Sequence, residues 1–248
     1  MTDGDREQGP GLHTNLFANE SNFGKYRRIV FGDQNWFKWI YFEFVVLIFG
    51  LIPGALGLLA RKYLFRPLFK QVGRGVVFGR NLTLRHPHKI IIGDNVIIDD
   101  ECLLDAKGES NGGISIGDYV TIGRFSSLVC KNGDINIGSN VNIGSTVKVV
   151  VGDQGRIDIG SWIDIGSNCH FSGGSYDYSQ SDVLPSARRI PTKGIIVEDN
   201  AWIGVGVILL DGVRIGSKSI VGAGSVVVKD IPPRAIAYGV PAEVRKNR

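Results

Sequence analysis

Residues 168–182 read NCHFSGGSYDYSQSD, with one histidine ahead of a glycine-rich approach to Tyr176, Asp177 and Tyr178. An imidazole is largely neutral near pH 7 and can take a proton from a hydroxyl or an amine. A phenol ionises near pH 10 and is a poor base there. The stretch therefore offers general-base chemistry on a polar acceptor. His170 and Tyr176 are the candidate bases, and the third possibility is that neither acts. Downstream, Arg188, Arg189 and Lys193 stand in a polar run, where they either meet a phosphate or decorate a solvated insertion. Asp105 and Lys107, in DAKG, either line a substrate cleft or form a local ion pair at a turn.

The remaining histidines are weaker candidates. His13 lies in a polar arm, and His86 and His88 flank Pro87, where an i, i+2 pair can cap a helix end. No three-histidine spacing suggests a metal site. The cysteines, Cys102, Cys130 and Cys169, are odd in number and lack paired spacing. They read as buried packing residues in a reducing compartment. A net charge of +4 without any nucleic-acid motif argues against a DNA or RNA partner. The polar first ten residues do not read as a signal peptide.

What must position these side chains is a repeat. IGDNVI from Ile92, IGDYVT from Ile116, IGSNVN from Ile137, IGSNCH from Ile165, IGVGVI from Ile203 and VGAGSV from Val221 share a period of six. An aliphatic residue opens each unit and a small or short one follows four later. A period of six is neither that of a helix nor that of a plain strand. It fits a short strand, a turn and another short strand, with about eighteen residues per three-sided coil and an aliphatic column inside. DAKGESNGG, CKNGD and VGDQG interrupt the rhythm and read as corner bulges. A longer break runs from about Phe171 to Val197, with a loop expected over 172–196.

The C-terminal series NAWIGVGVILLDGVRIGSKSIVGAGSVVVKDIPPRAIAYGVPAEV resembles the hexapeptide-repeat acyltransferases, and with the repeats the resemblance covers roughly 79–248. It implies a mainly β fold, a left-handed parallel β-helix, assembled as a homotrimer. It also implies acetyl-CoA as co-substrate, in a groove between subunits lined by Trp202, Gly204, Ala223 and Gly224, with Lys229 and Arg234 near the phosphates. No bound cofactor or metal is implied. Sugar O-acetyltransferases of this family commonly carry His-Asp-Tyr in the long loop. This sequence has Tyr176-Asp177-Tyr178 there, so Tyr176 stands where a histidine base is expected. The motif's remaining residues, Asp177 and Tyr178, are then acceptor-binding candidates, and residue type and position add Arg189, Asp105 and Lys107.

The N-terminal third differs in kind. Residues 1–25 read as a flexible arm and 26–78 as a hydrophobic and basic helical segment. Phe44 to Ala60 carries no charge but is short for one crossing, which needs about twenty residues. Pro53-Gly54 breaks any helix there. Basic residues flank both ends, including Arg27, Arg28, Arg61 and Lys62. Trp36, Trp39 and Tyr41 suit a headgroup region. A monotopic or re-entrant segment with both ends cytoplasmic is the leading expectation, ahead of a packed hairpin or a full span. The combined expectation is acetyl transfer to a sugar hydroxyl, on a lipid-linked glycan of surface polysaccharide assembly. A degenerate trimeric scaffold and a sugar N-acyltransferase are the alternatives.

Overall fold

A computed structural model describes residues 21–32, 35–174 and 192–247. The repeat builds a parallel β-solenoid. Its first coil is β1 (Gln71–Val72), β2 (Val77–Phe78) and β3 (Thr83–Arg85), and the pattern repeats through β21 (Val226–Val227). Every third strand stacks into the same sheet, so three sheets of seven, nine and seven strands form the walls. The middle sheet gains β22 (Ala235–Gly239) and the antiparallel β23 (Ala242–Asn247), which cover the last coil. The coils begin at Gln71, earlier than the boundary read at Gly79, because the first turns lack the Ile-Gly signature.

The hexad explains the packing. Its opening residues, among them Ile92, Ile122, Val149 and Leu209, fill the interior with almost no exposure. The fifth positions fill the inner corners, including Val96, Cys102, Val120, Ser126, Cys169, Ser219 and Ser225. Small size is needed there, and a short polar group can also bond the corner backbone. Ser126 Oγ donates to Gly144 O at 3.0 Å, and Cys169 Sγ donates to Gly204 O at 3.1 Å. All three cysteines are buried free thiols, each pushed up by desolvation, Cys102 to about 11 and Cys130 to about 12. Such thiols are inert packing groups.

The N-terminal helices are α1 (Asn22–Val30), α2 (Trp36–Phe49) and α3 (Gly54–Leu64). Helix α1 starts inside the span read as an arm. Its Arg27 and Val30 carbonyls bond Phe31, Gly32 and His86 amides, and His86 Nε2 lies 2.9 Å from Arg28 O. His86 thus caps a helix end. Helices α2 and α3 form a hairpin broken at Pro53, as that residue's missing N–H requires. Buried Arg61 pins the break, donating to the carbonyls of Phe49, Ile52 and Phe78 at 3.1, 2.8 and 3.0 Å. Phe42, Val45 and Phe65 join the solenoid core. The outer face of the hairpin leaves Phe37, Phe44 and Leu47 of α2 and Leu56 of α3 exposed, with Lys38 and Glu43 the charged residues of α2. Among the described residues no helix is long and apolar enough to cross a membrane. Tyr41, expected near headgroups, instead donates to Leu64 O at 2.9 Å inside the hairpin.

Candidate functional site

His170 opens β15 (His170–Gly173). Side chains alternate across a strand. Phe171 therefore points into the core, while His170 stands on the outer face, half-buried. The rhythm does not stop at Phe171, as the sequence suggested. Phe171 replaces the usual aliphatic residue in the interior column, between Val149 and Leu209. The regular chain runs to Gly173 and resumes with β16 at Ile195. The expected loop 172–196 is shorter at both ends.

Ser127, Lys148, His170 and Ile208 form one outward column on neighbouring strands of this sheet. Burial, then the positive charge of Lys148, holds the His170 imidazole below its ordinary pKa. Such a ring is neutral near pH 7 and accepts a proton. Among the described residues no side chain hydrogen-bonds that imidazole. Lys148, one strand away, was not singled out from sequence. The signal was present, since hexads stacked about one coil apart align positions 148 and 170.

The corner just before His170 carries Asn168 and Cys169. The next coil stacks Gly204 to Val207 on it, and the coil after that stacks Gly222 to Ser225. The ladder bonds Gly206 N to Ser167 O and Gly224 N to Val205 O join these turns at 2.9 and 2.8 Å. A Cβ on Gly204 would lie 2.6 Å from the Ala223 amide nitrogen, so close turn stacking dictates glycine. Gly224 has φ +70 and open space around it. Trp202, 53% exposed, stands on the outer face of the adjoining sheet in β17 (Trp202–Ile203). His170, Trp202, Gly204, Ala223 and Gly224 therefore share one edge of the solenoid.

Other candidates lie elsewhere within the chain. Lys229 follows β21 at a second corner. Arg234 occupies the third corner, where its amide donates to Ser217 O at 2.8 Å. Neither joins the glycine edge within this chain. Asp105 is only 5% exposed. It accepts from the Lys107 amide at 3.0 Å and pairs with Arg85 at 3.5 Å, and burial raises its pKa. It does the work of a turn rather than that of an open cleft. Lys107 is on the same turn. Tyr176, Asp177, Tyr178, Arg188 and Arg189 lie outside the described residues, as does His13. Residues 106–113, 131–133 and 152–155 all extend the same corner that Gly174 enters, at the far end of β15 from His170. Three residues of strand span about 10 Å.

One cleft lies at the seam of α3 and the solenoid, with Leu58, Arg61, Arg80, Ile97, Asp99 and Asp100 on its walls. Another, shallow, lies over Asn136, Asp158, Ile196 and Glu198. His170 is in neither. No cluster of metal-ligating groups occurs among the described residues.

The fold and this glycine-cornered edge define a hexapeptide solenoid. The family model described as bacterial transferase hexapeptide (six repeats) matches residues 194–229. The chain is 32% identical to the dTDP-4-amino-4,6-dideoxy-D-glucose acyltransferase of Escherichia coli, over 73% of this chain and 83% of that one. It is 35% identical to the galactoside O-acetyltransferase of Lactococcus lactis subsp. lactis (strain IL1403), over 44% of this chain and about half, 54%, of that enzyme. A variant of AntD, an N-acyltransferase from Bacillus cereus solved with dTDP and coenzyme A, superposes with a TM-score of 0.52. That pair is 25% identical over 73% of this chain and 85% of that one. The chain belongs to the hexapeptide-repeat sugar acyltransferase family.

Proposed function

We propose that this protein moves an acetyl group from acetyl-CoA to a hydroxyl of a sugar, with His170 as the base. The acceptor oxygen attacks the thioester carbonyl while the imidazole takes its proton. The tetrahedral oxyanion then collapses, expelling the CoA thiolate, which recovers the proton from the imidazolium. The products are an ester and the free thiol. The observation that carries this reading is the edge joining His170, whose pKa is lowered and whose ring has no hydrogen-bond partner among the described residues, to the close-stacked turns at Gly204 and Ala223. Such bare backbone lets a narrow pantetheine chain approach. AntD, solved with coenzyme A and with 3-hydroxybutyryl-CoA, supports the co-substrate.

His170 lies on the outer face of its sheet, and a base there needs a second wall to exclude water. This favours a homotrimer of left-handed coils in which a neighbouring subunit closes the groove and brings Lys229 or Arg234 to the CoA phosphates. The exposed apolar stripe of the hairpin, with Lys62, Arg66 and Lys70 beside it, favours contact with the cytoplasmic face of a membrane. A lipid-linked glycan acceptor follows from that contact. Transfer to an amino sugar is the second reading, favoured by the similarity to the dTDP-aminosugar acyltransferase over most of both chains. Purified protein with radiolabelled acetyl-CoA and paired hydroxy- and amino-sugar acceptors tests both. Base-labile label supports the ester, and base-stable label supports the amide. No heat on titration with CoA or acetyl-CoA, and no transfer, overturns the enzyme reading in favour of a scaffold.

A further inference from the structure

His170 has one charged neighbour among the described residues, and its placement is fixed by backbone register. β12 (Lys148–Val151) and β15 pair in parallel with Lys148 opposite His170. The flanking pairs Val149–Phe171 and Val151–Gly173 point inward. Residues 148 and 170 must then both point outward, about 4.8 Å apart at the backbone. Ser127 continues the column on one side and Ile208 (β18, Ile208–Leu210) on the other. The turns against this end of β15 present Thr146 and Asn168, which hydrogen-bond each other. The contacting strand β16 (Ile195–Val197) is uncharged. No carboxylate among the described residues pairs with Lys148, although seven ion pairs occur elsewhere on the solenoid. Among the described residues the Lys148 ammonium therefore faces the candidate base with no counter-charge.

We propose that Lys148 is a positioning residue for His170, its ammonium opposing a second positive charge on this face so that the imidazole is held as the free base. The assignment rests on the reading of His170 as the acyl-transfer base. A like charge disfavours the protonated ring. The same ammonium stabilises negative charge developing near the imidazole as the acceptor oxygen attacks. A lysine suits this role because its charge persists across the pH range in which a histidine titrates.

The test is NMR titration of the His170 Cε1–H in the intact chain, alongside K148M and K148R. The expected result is that K148M titrates at higher pH than the parent. K148R should match the parent, and added salt should narrow the gap between K148M and the parent. The acid limb of kcat/KM should move to higher pH in K148M, with K148R restoring it. Coincident titration curves for K148M and the parent overturn the assignment. Unchanged acid limbs beside separated titration curves also overturn it, because the base is then another group. Fully active H170A would remove His170 as the acyl-transfer base while leaving the titration difference between K148M and the parent in place, so the two failures are distinguishable.

Discussion

Asp105 and His170 stand on one sheet but three strands apart, with β9 (Ser127–Cys130) and β12 between β6 (Leu103–Asp105) and β15. At about 4.8 Å per strand this is roughly 14 Å along the solenoid. A carboxylate so placed, buried and bonded to its own turn, cannot orient the acceptor at His170 in the same subunit. We therefore expect D105N to lower thermal stability through the lost Arg85 pairing and turn contact. Its kcat/KM at a temperature where it is folded should stay within about threefold of the parent. A drop of two orders of magnitude with an unchanged melting curve would return Asp105 to the site.

H170A is expected to lower turnover by roughly 10²–10⁴-fold with CoA affinity nearly intact, measured by single-turnover transfer and calorimetry. Y176F removes only a hydroxyl and should cost less. If Y176H instead creates or raises activity, the chain is a weakened member of its family.

G204A adds a methyl group 2.6 Å from the Ala223 amide and 2.9 Å from Val221 O. Both neighbours are backbone atoms of the next coil, so neither can step aside cheaply. A destabilisation of about 1–3 kcal/mol is expected, together with weaker CoA binding. Denaturant melts and calorimetry measure the two effects separately, and an unchanged pair of values would refute the tight-turn argument.

R61M keeps the volume of a long side chain and deletes three carbonyl bonds at the hairpin break. The cost should be about 3 kcal/mol, since buried acceptors lose a charged donor. Limited proteolysis should then cut near Gly50–Pro53 before it cuts the coils. Resistance equal to the parent would mean that packing alone holds the hairpin.

His86 supplies a pH prediction. Burial, partly offset by its bond to the Arg28 carbonyl, lowers its folded-state pKa below the ordinary 6.5. Lys89 and Lys107 add to the lowering. The unfolded chain then binds the proton first as pH falls. Stability should decline from near pH 6.5 down to the folded-state pKa and level off below it. H86Q should flatten that part of the melting-temperature profile. His170, lowered in the same direction, contributes to the same window, so the comparison is best made on an H170Q background.

The repeat was legible because a six-residue period has few other physical solutions. Each aliphatic opening position must point inward, and each fifth position must fit a corner, whatever the rest of the molecule does. The burial of the cysteines and the break at Pro53 follow from equally local rules. The N-terminal edge of the solenoid and the continuation through Phe171 were not legible. There a strand is recognised by the neighbour it pairs with rather than by its own residues, and an aromatic side chain fills the column in place of the expected aliphatic one. The candidate site divides the same way. Residue type alone marked His170 as the base to consider. Only stacking decided that Lys148 is its neighbour, that Asp105 is not, and that the glycines at 204 and 224 share its edge while Lys229 and Arg234 occupy the other two corners. Proximity across coils depends on where each corner bulge adds residues, and that count is fixed by hydrogen-bonded register between strands far apart in the chain.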